Sequence, residues 1–249
     1  MHEPNVDRIL ASLAPTDVVL DIGGWARPFN RANYVIDAEP YATRGYYGAA
    51  LPAQGPAREH FIEDRWIQRD ICDKTPFPFG DKEIDFVVCS HTLEDVRDPL
   101  WVCSEMVRVA KRGYIEVPSR LAETCRGVEP GQVGWTHHRW LVDIEPGQVR
   151  FLMKYHMLHS HWRYSFPASY LRGLPADRRV QWLDWEGSFS FSETTIHGLD
   201  NIARELEGFV QRTRPYPKAL LAADRVVGRV RRLRDSVVAK VRRSASGTP

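Results

Sequence analysis

The stretch VVLDIGG at residues 18–24 gives the first indication of the fold class of this chain. It is a short apolar run that ends in Asp21 and two glycines, and this pattern predicts a buried strand leading into a tight turn. Apolar residues at helical spacing predict helices over 6–14 and 98–112. Three more apolar runs predict strands, namely YVID (34–37), DFVVCS (85–90) and GYIEVPS (113–119). This arrangement indicates an α/β domain with a largely parallel sheet.

The second half of the chain has a different composition. Residues 131–191 hold twelve aromatic residues and five of the nine histidines. Within and after this region, 149–158 and 180–193 have the pattern of strands, and 197–212 has the pattern of a helix. The change near residue 120 therefore predicts that a separate structural unit follows the first four strands.

Composition excludes several classes of protein. The chain is 43% apolar and 27% charged, as expected of a globular protein. No run approaches 18 consecutive apolar residues, and the start MHEPNVDRIL has no secretory pattern, so neither a membrane span nor a signal peptide is expected. The four cysteines lack CxxC spacing, so we expect free thiols in a cytoplasmic protein.

The C-terminal segment carries most of the positive charge. Residues 211–249 hold eleven Lys and Arg against two Asp, whereas the first 210 residues have a net charge of −7. The apolar spacing over 223–243 predicts an amphipathic helix with a basic face. Packing on its own domain, peripheral contact with a membrane and formation of a homodimer are open alternatives for it. We expect no nucleic-acid partner, because no aromatic or glycine-rich RNA-reading motif accompanies the charge.

Polar residues and glycines follow several of the predicted strands. In open parallel sheets, ligands bind at the carboxyl ends of the strands. A carboxylate after the second strand can accept hydrogen bonds from a ribose diol, and a polar-then-apolar pair suits an adenine amino group and ring. A turn or a helix cap would explain each residue singly, but together they predict a site for a nucleotide-like cofactor. These residues are Asp21, Gly23, Gly24, Asp37, Ala38, Asp70, Ile71, Ser90 and His91.

The same motifs resemble those of class I S-adenosylmethionine-dependent methyltransferases. VVLDIGG resembles the family's first motif and YVIDAEP its acidic second motif. RDICDKTPFPFGDKEIDFVVCSHTLEDVRDP and EMVRVAKRGYIEVPS resemble the segments that follow, so the likeness covers roughly residues 15–120. The resemblance implies a Rossmann-like sheet and S-adenosyl-L-methionine as the cofactor.

The resemblance also implies a role for each matching residue. Asp21, Gly23 and Gly24 would border the methionine portion of the cofactor, and Asp37 would bind the ribose with Ala38 beside the adenine. Asp70 and Ile71 would hold the adenine, and Ser90 and His91 would lie beside the sulfonium. Glu94 matches the family's Glu, whereas Asp95 stands where the family usually has His.

The glycine motif departs from the family pattern. The usual G-x-G-x-G is reduced to Gly23-Gly24, and the short distance between Asp21 and Asp37 leaves no room for a full helix. This shortened form resembles a subset of actinobacterial-type sugar and polysaccharide methyltransferases. The resemblance therefore also indicates a carbohydrate acceptor.

The segment GWTHHRWLVDIE (134–145) supplies the candidate catalytic residues. A histidine titrates near neutral pH and suits removal of a proton from an acceptor hydroxyl. Adjacent histidines on an extended segment point to opposite sides, so we expect one of them to face the acceptor and favour His137 over His138. Glu123 could orient that histidine, bind sugar hydroxyls or ligate a metal. Surface or packing roles remain the alternative for all three residues.

Several residues of this region are of types that can bind a metal ion. A hard-cation site, for Mg²⁺ for instance, could assemble from His91, Asp95, Glu123, His137 and His138, but no two of these lie at a recognised ligand interval. We therefore assign no metal ligand from the sequence. The spacing of His156, His159 and His161 is metal-like only on an irregular segment.

Aromatic residues near carboxylates suit sugar rings, which present C–H faces and hydroxyl edges. The relevant residues are Trp135, Trp140, Trp162, Tyr164, Trp182 and Trp185, and core packing is the alternative for each of them. We therefore predict an O-methyltransferase that acts on a hydroxyl of a sugar or small oligosaccharide, by in-line displacement with a histidine base. The alternatives are a methyltransferase for a lipid or a natural-product phenol, and a non-catalytic protein that keeps the cofactor fold.

This interpretation divides the chain into four parts. The predicted parts are a cofactor-binding Rossmann-like core (1–120), an acceptor-binding or lid insertion with later core strands (121–195), a helix and linker (196–218) and a basic amphipathic tail (219–249).

Overall fold

The computed structural model describes residues 1–51, 53–213 and 226. Its strands form two sheets. The main sheet contains β1 (Val19–Ile22), β2 (Tyr34–Asp37), β3 (Trp66–Gln68), β4 (Ile84–Ser90), β5 (Ala110–Pro118) and β8 (Val180–Glu186). The second sheet contains β6 (Trp140–Glu145), β7 (Gln148–Met153) and β9 (Ser190–Thr194).

The main sheet has the strand order β3-β2-β1-β4-β5-β8. Strands β1 to β5 pair in parallel, and β8 runs antiparallel to β5. The chain starts at β1 in the middle, moves outward to β3 and returns to β4 beside β1. The carboxyl ends of β1 and β4 are therefore neighbours, at the switch point where open α/β sheets bind ligands.

The elements predicted in the first half of the chain are confirmed, except that the helix predicted over 98–112 ends at Val109 and strand β5 begins at Ala110. Helix α1 (Glu3–Ser12) precedes β1, and α2 (Pro99–Val109) connects β4 to β5. Helix α2 begins where expected, because the Asp98 carboxylate caps it by accepting a hydrogen bond from Trp101 N at 2.9 Å. The short strand β3 was not predicted, because three residues carry too little periodicity to be recognised.

No helix connects β1 to β2, as the short spacing predicts. The connection is an irregular segment whose Phe29 is buried with Phe61 and Trp66. These aromatic side chains pack with α1 on one face of the main sheet. Large aromatic side chains thus cover sheet surface that helices cover in a full Rossmann fold.

The other face of the main sheet is covered by α2 and by the second sheet. Trp140 of β6, Phe151 of β7 and Trp185 of β8 all belong to the core cluster that contains α2. In the second sheet, β7 pairs antiparallel with β6 and parallel with β9. Strands are found within 180–193 as predicted, whereas the strand predicted over 149–158 is wrong in its second half. Strand β7 ends at Met153, and a helical turn then buries Leu158.

Short helices complete this half of the chain. They are α3 (Arg120–Glu123), α4 (Met157–Ser160) and α5 (Ala168–Gly173). Helix α6 (Leu199–Arg212) confirms the helix predicted over 197–212. It buries Ile202, Leu206 and Val210, which lie four residues apart on one face. Arg120 fastens it to the second sheet by ion pairs with Asp143 at 2.8 Å and Glu205 at 2.7 Å.

The predicted basic tail (219–249) lies outside the described residues, apart from the exposed Val226. None of the helices in the described part of the chain combines the length and the apolar character needed to cross a bilayer. The four cysteines are free and buried.

Candidate functional site

The glycine turn, formed by Asp21, Gly23, Gly24 and Thr92, follows β1. Gly23 has φ +76°, and a Cβ at this position would lie 2.1 Å from Thr92 Oγ1. A Cβ on Gly24 would lie 2.3 Å from Asp21 Oδ2. That carboxylate is buried and accepts a hydrogen bond from Phe29 N at 2.8 Å, and its burial raises the pKa of Asp21 to about 7. The two glycines are therefore required by close packing within the protein itself.

Asp37 lies half-buried at the end of β2, as predicted. Its Oδ2 accepts a hydrogen bond from Trp25 N and its Oδ1 accepts one from Glu39 N, both at 2.9 Å. Burial raises the pKa of this carboxyl. Each carboxylate oxygen can accept a second hydrogen bond, so the group can still bind a ribose hydroxyl. Ala38 is exposed beside it.

Asp70 has an ion-pair partner that the sequence did not indicate. Its Oδ1 accepts a hydrogen bond from Cys72 N at 2.8 Å, and its Oδ2 pairs with Arg97. The backbone hydrogen bond from Cys72, helped by Arg97, lowers the pKa of Asp70. An adenine amino group would therefore have to share this carboxylate with a guanidinium. Ile71, the predicted apolar partner of the adenine ring, is buried.

His91 lies between two carboxylates at the end of β4. Its Nε2 is 3.2 Å from Glu116 Oε1, and its Nδ1 is 3.4 Å from Glu94 Oε1. Burial alone would lower the pKa of His91, but the nearby carboxylates of Glu116 and Glu94 outweigh it and raise the pKa to about 9. Burial would likewise raise the pKa of Glu116, but the hydrogen bond from His91 and the nearby N-terminal ammonium hold it at about 2. The pair is therefore charged at neutral pH.

Several polar atoms beside this pair make no hydrogen bond within the described part of the chain. Ser90 Oγ and both carboxylate oxygens of Glu94 are buried without a hydrogen bond to any residue that the structure describes. Unsatisfied buried polar atoms are rare in native proteins, and a bound ligand is one explanation for them. Their place at the carboxyl end of β4, next to the glycine turn, fits a polar cofactor at the switch point of the sheet.

Four residues that are distant in sequence contact one another near the start of β6. We call them the insertion cluster, and they are Glu123, Trp135, His138 and Lys154. Glu123 and His138 are buried, and Glu123 Oε2 lies 2.8 Å from His138 Nδ1. Glu123 Oε1 pairs with the ammonium of Lys154, whose side chain is only 3% exposed. Trp135 N donates to the same oxygen at 3.3 Å, and the Trp135 ring stacks on His138. Glu123 thus contacts a histidine directly, and its role in orienting that histidine for catalysis stays a prediction.

Two residues of this region were not predicted from the sequence. Lys154 follows β7, far from Glu123 in sequence, and nothing in its surroundings distinguishes it from a surface lysine. Gly134 has φ +62°, and a Cβ on it would lie 2.3 Å from Glu123 O and 2.4 Å from Glu123 Oε1. A glycine just before the histidine pair was a usable signal for such a close approach, because only glycine combines that φ with that contact.

The two histidines do not point to opposite sides. Residues 136 and 137 form a turn, so the assumption of an extended segment is wrong there. The rings of His137 and His138 lie 4.5 Å apart between centroids, and His138 Nε2 is 3.7 Å from Asp95 Oδ1. His137, which the sequence favoured, is 61% exposed and lies 3.7 Å from Glu129 Oε1. Burial, with the charge of Glu94, raises the pKa of Asp95 to about 6.

A continuous series of contacts links the glycine turn to the insertion cluster. Thr92 Oγ1 donates to Ile22 O at 3.3 Å, and Asp95 N donates to Thr92 O at 3.0 Å. Glu94 O then accepts hydrogen bonds from Arg139 N at 2.7 Å and Trp140 N at 3.1 Å. The segment after β4 therefore holds His138 beside the end of the sheet where the residues predicted to bind the cofactor lie.

The remaining predicted site residues are dispersed. Trp140, Tyr164 and Trp185 are buried core residues, which was the alternative for each of them, whereas Trp162 and Trp182 are 39% and 36% exposed. The His156 and His159 rings are 6.5 Å apart, and His159 Nδ1 accepts a hydrogen bond from Val133 N. Among the described residues, these histidines do not form a metal-ligand group.

A cavity of about 650 Å³ lies elsewhere, against residues 26–30 and 45–62. It is lined by Arg27, Tyr47 and Phe61 among others, and by none of the residues predicted to bind the cofactor or the acceptor. The cavity is therefore separate from the predicted site.

Comparisons with known proteins agree with this fold. Residues 48–115 match a family model described as a methyltransferase domain. No curated protein sequence matches the chain. Over these residues the chain is similar to a methyltransferase domain, and the strand order of the main sheet is that of a Rossmann-like α/β fold.

Several solved structures are similar to part of the chain. A putative methyltransferase from Bacillus halodurans is 20% identical, with 47% of this chain and 51% of that chain covered and a TM-score of 0.33. A methyltransferase from Mesorhizobium loti is 16% identical, with 61% and 62% covered and a TM-score of 0.33. A putative methyltransferase from Haloferax volcanii, in complex with the activator Trm112, is 17% identical, with 47% and 53% covered and a TM-score of 0.31. The chain spans about half the length of the first and the third, and these distant likenesses carry no functional argument.

Proposed function

We propose that this protein transfers a methyl group from S-adenosylmethionine to a hydroxyl of a sugar or small oligosaccharide, with His138 as the base. The observation that carries the proposal is the hydrogen bond of 2.8 Å between His138 Nδ1 and Glu123 Oε2. A carboxylate that holds one nitrogen of a histidine leaves the other free to accept a proton. The contact of His138 with Asp95 puts that second nitrogen beside the segment after β4.

The cofactor, when bound, supplies a methyl group on a positively charged sulfur that is a good leaving group. The chain must then align the acceptor and remove its proton. Asp37, the Ser90 hydroxyl and the buried Glu94 carboxylate beside His91 are the polar groups that we propose hold the cofactor. His138 Nε2 takes the hydroxyl proton, and Glu123, held by Lys154, stabilises the resulting imidazolium.

The carbohydrate acceptor rests on a smaller set of residues than the sequence suggested. Trp135 is half-buried and lies 5.1 Å from His138 between ring centroids. An aromatic ring beside the base can pack against the C–H face of a sugar. The exposed His137 and the side chain of Glu129, which accepts from Thr136 Oγ1 at 2.6 Å, offer polar groups near this ring. We place this activity in the cytoplasm, because buried free cysteines suit a reducing compartment.

The test is transfer of labelled methyl from the cofactor to parallel panels of sugars, phenols and lipids. We expect label in sugars, and a loss of about 10²- to 10⁴-fold in kcat when His138→Gln removes the base. The matched control is His156→Gln, a surface histidine outside the cluster. Label confined to phenols or lipids contradicts the sugar acceptor, and a kcat for His138→Gln within threefold of wild type contradicts the base.

A non-catalytic protein is the second candidate. It is favoured by the internal hydrogen bonds that already occupy Asp21, Asp37 and Asp70. Calorimetric titration with S-adenosylhomocysteine separates the two candidates from the start. Micromolar binding that Asp37→Asn weakens supports the enzyme, whereas no binding by a correctly folded wild-type protein supports the second candidate.

A further inference from the structure

Asp95, His137 and His138 bring three potential metal ligands together. One carboxylate oxygen and one ring nitrogen from each histidine all lie within 4.8 Å of one another. Asp95 belongs to the segment after β4, whereas the histidines belong to the turn before β6, so only the tertiary structure forms this group. Among the described residues, it is the one cluster of His, Cys, Asp and Glu with this geometry.

If His138 donates its Nδ1 proton to Glu123, its Nε2 and Asp95 Oδ1 are two acceptors that face each other. Asp95 Oδ1 is buried and has no hydrogen-bond partner in the described part of the chain. It lies 3.7 Å from His138 Nε2, which is too long for a hydrogen bond between them. The His138 side chain is only 6% exposed. Such a distance does suit two ligands of one cation, since metal–ligand bonds of about 2.0–2.2 Å separate neighbouring ligand atoms by roughly 3 Å or more.

The surroundings of His138 are those of a metal-bound histidine. Its Nδ1 is held by Glu123, and the Glu123 carboxylate is itself held by Lys154. Metal-ligating histidines commonly donate their other ring N–H to a carboxylate, which fixes the ring and leaves the lone pair on the metal side. His137 and Asp95 are 61% and 38% exposed, so a cation can enter from solvent.

We propose that Asp95, His137 and His138 bind one divalent transition-metal cation such as Zn²⁺. Two imidazoles and one carboxylate suit Zn²⁺ and Co²⁺, whereas Mg²⁺ prefers oxygen ligands. The proposed site therefore contains three of the five residues considered from the sequence, and it suits Zn²⁺ better than a hard cation such as Mg²⁺. One consequence rests on the proposed function. The bound cation occupies the lone pair of His138 Nε2, which the base needs to accept a proton. Zn²⁺ therefore inhibits methyl transfer.

The experiment is a titration of the metal-stripped protein with Co²⁺, followed by visible absorption and by calorimetry, without cofactor or acceptor. Zn²⁺ then displaces Co²⁺ in competition. We expect one equivalent of Co²⁺ to bind, with at least a tenfold weaker affinity in His137→Ala and in Asp95→Asn. His156→Ala is the control and keeps the wild-type affinity. His137 is exposed, so its variant tests the site without disturbing the core.

Each outcome decides the proposal. No saturable binding, or equal affinity in wild type and His137→Ala, overturns it and indicates that a proton on His138 faces Asp95. Because the titration contains no acceptor, its result does not depend on the proposed reaction. If Co²⁺ binds as expected but Zn²⁺ leaves methyl transfer unchanged, the inhibition is wrong while the site stands. If no acceptor is methylated and Co²⁺ binds, only the proposed function fails.

Discussion

The glycine turn and the insertion cluster each bury a carboxylate, but they stabilise it in different ways. In the glycine turn, Asp21 is buried and accepts a backbone hydrogen bond from Phe29 N. In the insertion cluster, Glu123 is equally buried but has a cation, a histidine and a backbone amide as partners. The Asp21 carboxyl has a pKa raised to about 7 by burial, which favours its neutral form. Burial of a carboxylate is therefore tolerated by protonation in one region and by pairing in the other.

The two regions also differ in how far apart their residues lie in the sequence. The glycine turn comes from one continuous motif, and its contacts join residues close in sequence, with Thr92 as the exception. The insertion cluster joins residues from α3, the turn before β6 and the end of β7. A motif can therefore reveal the first region, whereas the second depends on how three separate elements pack.

Breaking the ion pair of the insertion cluster has the largest expected effect. Lys154→Met removes the ammonium and leaves Glu123 with only His138 and a backbone amide. We expect a loss of about 3–5 kcal/mol in the free energy of unfolding, because a buried charge loses its partner. Denaturant unfolding of the purified variant measures this loss.

An exposed ion pair provides the control for this variant. Lys111 pairs with Asp85 at 2.6 Å, but its side chain is 58% exposed. Lys111→Met should therefore cost less than about 1 kcal/mol. The double variant Lys154→Met with Glu123→Gln should recover part of the loss. Equal destabilisation by the two single lysine variants would show that the insertion cluster is not a buried network.

The glycine turn is tested by one methyl group. Gly23→Ala places a Cβ 2.1 Å from Thr92 Oγ1 at a positive φ, so we expect it to cost about 2–4 kcal/mol. Gly45→Ala is the matched control, because Gly45 has φ +72° but no atom within 4 Å of the added Cβ. It should cost only about 1–2 kcal/mol. Thermal or denaturant unfolding measures the loss of stability in each variant. An equal loss in both would show that the close contact with Thr92 does not contribute to the cost.

The protonation of Asp21 predicts a pH dependence that Asp21→Asn removes. The folded-state pKa of about 7 lies above the reference value of 3.8, so the unfolded state releases its proton first. Stability from this group therefore falls as the pH rises from about 4 to about 7. Between pH 5 and pH 8 the wild type should lose about 2–3 kcal/mol relative to Asp21→Asn. Unfolding curves of both proteins at the two pH values test this, and parallel pH profiles would mean that the buried carboxyl is ionised throughout.

Much of the cofactor half could be predicted because its signals are local. An apolar run followed by Asp21 and two glycines fixes a strand and a turn within seven residues, and the short spacing to Asp37 correctly excludes a helix between β1 and β2. The partners of these groups could not be predicted. Arg97 pairs with Asp70 only because the segment after β4 passes beside the segment after β3.

The catalytic candidates show the limit more clearly. Glu123, His137 and His138 could be selected from residue type and position, but the choice between the histidines required the backbone conformation. A turn at residues 136 and 137 brings both rings towards Asp95, whereas an extended segment would separate them. Trp140 and Trp185 could not be distinguished from Trp135 by sequence, because burial depends on which face of the main sheet the second sheet covers.

Periodicity and local residue patterns predict the α/β class, the positions of β1, β2, β4 and β5 and the shortened connection after the first strand. These features depend on residues that act on their own neighbours in the chain. The contacts of Glu123 with His138 and Lys154, and of Asp95 with both histidines, arise only when distant elements pack together. Such pairs gain their strength from proximity and shared burial, and neither can be read from the order of residues along the chain.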